Sequence, residues 1–161
     1  MSNFNDGLKQ LEDVCGNGKD NVITLSTICI NDEGLAKPYS RDVDAYYEDG
    51  AFYIMTLNDS LKIKQIENNP NVAFSVCEKW ISGNGVAKNL GYVMKEENAQ
   101  IRLKLREAFK FWYDFANDES SENTIILKVE ITEAIVIKDH NAIKYYMDFT
   151  KQEENYDNRV L

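Results

Sequence analysis

Residues 51–76 read AFYIMTLNDSLKIKQIENNPNVAFSV and hold a strand, a polar loop, a short helix and a second strand in one run. The opening stretch, AFYIMT, is rich in aromatic and β-favouring residues, and Asp49-Gly50 just before it is a hairpin turn signal. Asp59 or Ser60 can then cap a helix whose apolar residues Leu61, Ile63 and Ile66 fall near one side, and Asn69-Pro70 stops it. The last run, NVAFSV, is strand again. Thr56, Ser60 and Lys62 are thereby gathered beside a helix start, where free backbone N–H groups and the positive end of the helix dipole favour an anion. Two readings follow: a phosphate cradle, or a serine that only caps and a lysine that only solvates.

Working outward, 161 residues suffice for one full core and are few for two. With 43% hydrophobic and 28% charged residues the composition is that of an ordinary globular chain. A net charge of −9 excludes broad nucleic-acid binding, because no basic stripe is available to neutralise a phosphate backbone. A small phosphorylated ligand needs only a local pair of cations and stays open. The first residues, MSNFNDGLKQ, lack a basic segment followed by an apolar one, and no run approaches the length that spans a bilayer, so no membrane association and a cytoplasmic location are expected. Cys15, Cys29 and Cys77 are odd in number and far apart, which reads as reduced thiols rather than a disulfide framework. The single histidine, His140, lies in a polar stretch that reads as a surface turn, and no metal-ligand spacing accompanies it, so no metal site is expected. Any chemistry then belongs to a bound cofactor.

The remaining elements follow from periodicity. Phe4, Leu8, Leu11, Val14 and Cys15 recur at helical spacing and predict an amphipathic helix closed by Gly16 and Gly18. NVITLSTICI predicts a strand, Asn31 to Gly34 a turn, and residues 39–47 the returning strand of a hairpin. Along that strand Arg41 shares a face with Val43 and Ala45, which aims it at an apolar surface unless a carboxylate takes it up. Gly83 and Gly85 mark a bulge, a bend or a close approach, and they lack the third glycine of a dinucleotide fingerprint. Residues 95–117 predict one long helix with Ile101, Leu105, Ala108, Phe109, Trp112, Phe115 and Ala116 on its stripe and Phe111 and Tyr113 off it, a spread that also suits a subunit interface. A polar loop, a long strand at 124–138 and a shorter one within 142–149 complete a single domain over 1–149, followed by a polar tail at 150–161. The architecture expected is mainly β, an α+β arrangement of a small antiparallel barrel with inserted helices.

Four pieces in this order, TLSTICINDEGLAKPYSRDV, EDGAFYIMT, SLKIKQIENNPNVAFSV and ISGNGVAKNLG followed by a helix containing LREAFKFW, resemble the pyridoxamine 5′-phosphate oxidase-like family of FMN-binding split β-barrels. The likeness is to its general-stress and nitroimidazole-resistance-related branches, and it runs from about Leu8 to Lys138. It implies a homodimer with FMN in a cleft between subunits. Carried over by motif, Arg41 and Lys62 would hold the FMN phosphate and Ser60 would donate to it. Thr56 and the backbone around Val43 would line the ribityl chain and ring edge, and Trp80 stands where a partner subunit reaches the flavin. The arginine and histidine with which the true oxidase holds pyridoxal phosphate have no counterpart after Lys138, and no histidine matches the one associated with the nitroimidazole branch.

The resemblance thus leads to a flavoprotein oxidoreductase passing electrons from a reduced nicotinamide to a small acceptor. The alternative is a flavin-binding or stress-response module that does not turn over.

Overall fold

A computed structural model describes residues 3–140 and 143–154. The predicted strands form where β-favouring residues run between turns. The chain runs α1 (Asn3–Cys15), β1 (Asn21–Ile30), β2 (Ala36–Glu48), β3 (Ala51–Leu57), α2 (Leu61–Asn68), β4 (Asn71–Val76) and β5 (Ile81–Tyr92). It continues through a single 3₁₀ turn (Glu96–Asn98), α3 (Ala99–Ala108), α4 (Tyr113–Ala116), β6 (Thr124–Lys138), β7 (Ile143–Asp148) and β8 (Glu153–Glu154). The residues of the polar tail beyond 154, Arg159 among them, lie outside the described residues.

All strand pairings are antiparallel, and six strands close in the order β1-β2-β3-β6-β5-β4, with β4 back on β1. This is a split barrel. The tight turn at Asp49 and Gly50, with φ of 49° and 74°, is the left-handed pair that a two-residue hairpin loop requires. β6 is the organising strand. Its first half pairs with β3 and its second half with β7, while β5 runs along its other edge. Gly83 is needed where β5 meets it, since a Cβ there would stand 2.1 Å from the carbonyl of Glu133.

The barrel interior is filled by Ile23, Leu25, Phe52, Ile54, Phe74, Ile81, Leu127 and Val129, and α1 closes one end with Phe4, Leu11 and Cys15. A second core forms on the outside, where Leu105, Phe109 and Tyr113 pack on Tyr46, Val93 and Ile126. β6 is therefore buried on both faces at Ile126, and the run IIL at 125–127 reflects that.

The long helix expected over 95–117 is broken. α3 ends at Ala108, Phe109 leaves the helical region and α4 restarts only at Tyr113. Tertiary anchors override the period: Phe109 enters the second core and stacks on Trp112 at 4.7 Å, and the Trp112 indole N–H donates to Asp20 at 2.7 Å. The break resets the stripe. Tyr113, expected off it, is buried, whereas Phe115, expected on it, is 94% exposed, and Phe111 is 85% exposed. Leu61 likewise faces solvent, and the buried side of α2 consists of Ile63, Gln65 and Ile66.

Candidate functional site

The barrel opens between β2 and β3. These strands pair only over residues 46–48 against 51–53. Beyond that, residues 36–45 of β2 pair with β1 and residues 54–57 of β3 pair with β6, so the facing edges of the two strands diverge. Asp42, Val43 and Asp44 line one side of the resulting cleft, which measures about 270 Å³, and Met55, Thr56 and Leu57 line the other. Trp112, Ala116 and Asn117 form its wall. Nothing in the sequence places those three there, because the contact depends on the helix break and on Asp20, 92 residues from Trp112.

Arg41 stands near this opening on the inner face of β2, opposite Leu25. The alternation places it there correctly. No carboxylate takes it up. Its Nη1 donates to the Leu25 carbonyl at 3.2 Å and to Thr27 Oγ1 at 2.7 Å, and its Nη2 donates to Gln65 Oε1 at 3.1 Å. Lys62, on the first turn of α2, donates from Nζ to Thr56 Oγ1 at 2.8 Å. Burial lowers the pKa of Arg41, and burial followed by the nearby Arg41 charge lowers that of Lys62. Two cations therefore sit together, partly withdrawn from water, and among the described residues neither has a carboxylate within ion-pair distance. Such a pair disfavours its own charge until an anion arrives.

Ser60 has the extended backbone of an N-cap, yet its side chain makes no capping bond. Its Oγ is buried without a hydrogen-bond partner, as is Nε2 of Gln65. The expectation that Ser60 caps α2 is corrected here, and the hydroxyl is left as a spare donor beside Lys62. Orphaned buried polar atoms are uncommon and call for an unseen partner. Here two occur on the helix that carries Lys62, and one of them belongs to the side chain that also holds Arg41.

The structure thus brings Arg41, Thr56 and Lys62 into one cluster, places Ser60 at the head of the same helix, and sets Val43 with Thr56 in the adjoining cleft. Trp80 stands apart. It is 68% exposed, has a left-handed φ of 55°, and precedes β5 on the far side of β1 and β4 from β2. Thr27 and Gln65 were missed by the sequence reading. Thr27 had a signal, since it continues the inward positions of Ile23 and Leu25 with a polar residue. Gln65 had none, because its partner lies 38 residues away on β1.

At the cleft rim Asp44 shares a hydrogen bond with Asp20, and its pKa is raised first by burial and then by the Asp20 charge. Among the described residues no histidine, cysteine or serine lines the cleft.

No family model matches the sequence, and no curated protein sequence matches it. Solved structures do match. A candidate pyridoxamine 5′-phosphate oxidase from Listeria innocua is 16% identical with a TM-score of 0.58, over 84% of this chain and 98% of that one. General Stress Protein 26 from Bacillus anthracis is 23% identical with a TM-score of 0.56, over 78% and 89%. A FAD-binding protein from Mesorhizobium loti is 18% identical with a TM-score of 0.59, over 79% and 90%. A heme storage protein from Vibrio cholerae also shares the fold, at 14% identity and a TM-score of 0.61, over 84% and 95%. At these identities the likeness is one of fold.

Proposed function

We propose that this chain, with the split-barrel fold common to pyridoxamine 5′-phosphate oxidase-like proteins, binds FMN and works as a flavin-dependent oxidoreductase. The observation that carries this reading is the pairing of Arg41 and Lys62 beside a helix start with no carboxylate among the described residues to balance them. A terminal phosphate supplies the missing charge, and charge-assisted bonds to it are the strong kind. The donor set fits the group: two cations, the orphaned Ser60 hydroxyl and the first backbone N–H groups of α2.

From that anchor the ribityl chain and ring run into the gap between β2 and β3. Thr56 lies at the junction, held by Lys62, and Val43 lines the cleft with it, beyond the point where β2 and β3 stop pairing. Trp112, fixed by Asp20 and stacked on Phe109, gives the cleft a rigid aromatic wall that excludes water from one side. When bound, the flavin would supply the electron transfer, from a reduced nicotinamide to a small acceptor. The protein's part is to hold and orient it. Asp42 and Asp44 are titratable side chains that line the cleft, and burial followed by the Asp20 charge raises the pKa of Asp44, so it keeps a proton at Oδ to a higher pH than an ordinary aspartate. The exposed Phe111 and Phe115 suit a second copy of the chain, which would complete the cleft from outside.

A purified preparation should show flavin bands at about one per chain after FMN is added and excess removed. Retention of heme with no flavin would overturn the reading. Bleaching by NADH or NADPH and recovery with an acceptor would separate an enzyme from a flavin-holding module, which is the second reading. Light scattering should report twice the chain mass, and a clean monomer would remove the two-subunit cleft.

A further inference from the structure

Arg41 is held in an unusual way for a partly buried cation. Its partners are the Leu25 carbonyl, the Thr27 hydroxyl and the Gln65 amide oxygen, all of them neutral. A guanidinium has five N–H groups. Nη1 spends its two on Leu25 and Thr27, and Nη2 spends one on Gln65. The Nε–H and the second Nη2–H are left, and these two lie parallel along one edge of the guanidinium.

We infer that Thr27 and Gln65 are positioning residues that turn this edge of Arg41 toward an anion while leaving its charge intact. The inference rests on the phosphate reading above. Thr27 Oγ1 donates to Gln65 Oε1 at 2.5 Å, so the two acceptors that meet Arg41 are tied to each other at the spacing of its outer N–H pair. The tie also fixes the amide. Oε1 receives both Thr27 and Arg41, which forces Nε2 the other way, where it lies buried without a partner in a side chain only 4% exposed. A flipped amide would set donors against donors. A carboxylate at position 65 would orient the guanidinium equally well but would cancel its charge, and the site would lose half of its attraction for a dianion. The free parallel pair matches two oxygens of one phosphate, and Lys62 and Ser60 approach from the start of α2.

The test compares FMN with riboflavin, which lacks only the phosphate, by titration of the purified protein. Thr27→Val keeps the shape and removes the hydroxyl, and it should weaken FMN binding roughly fivefold with riboflavin unchanged. Thr27→Ser should restore the FMN affinity. Gln65→Glu should weaken FMN binding by about tenfold or more, again sparing riboflavin, and the ligand-free protein should melt no lower than the parent. A Thr27→Val protein that binds both flavins as the parent does, or loses both equally, overturns the positioning role. If Thr27→Val does not fold, Thr27→Ala takes its place in the same comparison. Arg41→Ala separates the two levels. If it leaves the FMN-to-riboflavin ratio unchanged, the phosphate reading itself fails. If it lowers the ratio and the Thr27 and Gln65 variants do not, only the positioning role fails.

Discussion

Two basic clusters in this molecule each bring two cationic side chains together and are balanced in opposite ways. Around Glu119, Arg102 donates from Nε and Nη2 at 2.8 Å each, Arg106 from Nη1 at 3.1 Å, and Tyr113 from its hydroxyl at 2.9 Å. Arg106 also reaches Asp114 at 2.8 Å. The carboxylate is held down to about 2, chiefly by the Arg102 hydrogen bonds. Arg41 and Lys62 have the same charges and, among the described residues, no carboxylate. The parallel edge that Arg102 gives to Glu119 is the edge that Arg41 leaves free. The chain is not short of acids, with 27 against 18 bases, so the empty edge reflects placement rather than composition. A satisfied cluster stabilises the fold, and an unsatisfied one waits for a ligand.

The largest effect that would sharpen this contrast comes from the satisfied side. Glu119→Gln leaves two arginines without their shared partner and should destabilise the chain by about 2 kcal/mol in urea unfolding at neutral pH. FMN affinity should not change. The sign with pH follows from the same shift. The folded-state pKa, about 2, lies below the ordinary 4.5, so this contribution is present above about pH 4.5 and is lost as pH falls toward 2. The variant should lack that component of acid sensitivity. Lys62 gives the same slope with pH from an opposite cause: burial penalises its charged form, and that penalty is relieved as pH climbs toward 10.5.

A smaller effect of opposite character is expected from the unsatisfied side. Lys62→Met keeps the stem and removes a half-buried charge, so the ligand-free protein should be at least as stable as the parent. FMN binding should weaken by about tenfold, with riboflavin unaffected. A stability loss comparable to that of Glu119→Gln, with no change in the ratio of the two flavins, would erase the distinction between the clusters.

How much of this was legible depends on the range of the contacts involved. The strands and hairpins were readable because their signals are local: alternation in NVITLSTICI, Asp49-Gly50 at a turn, β-favouring residues in AFYIMT. Arg41 was readable as an oddity because alternation alone put it on an apolar face, and Thr56 and Lys62 because they stand only six positions apart across a loop and helix start. The Thr27–Gln65 tie spans 38 residues, and the choice of Gln65 over a neighbour on α2 depends on where β1 passes. The break after Ala108 was hidden for the same reason. Helical period continued through Phe109 to Trp112, and only an aspartate from the α1–β1 connection, 92 residues upstream, pulls Trp112 out of line. Local pattern thus gave the frame and the odd residues, while the wall of the cleft and the holder of Arg41 came from tertiary contacts.

The smallest expected effect is also the one that most directly questions the meaning of an orphaned group. Ser60 sits where a cap belongs, and its hydroxyl is buried without a partner. If the hydroxyl serves the ligand-free fold through a bond not seen here, Ser60→Ala should destabilise by about 1 kcal/mol, the usual value of a lost cap. If it is held in reserve for an anion, removing it relieves a buried unsatisfied group, and the ligand-free protein should be unchanged or up to about 1 kcal/mol more stable. The loss should then appear only with ligand, as a few-fold weaker affinity for FMN and none for riboflavin. Thermal unfolding with and without each flavin separates the outcomes. Destabilisation of the ligand-free protein, with an unchanged flavin ratio, would move Ser60 to the structural side of the comparison and leave Arg41 and Lys62 to hold the phosphate without it.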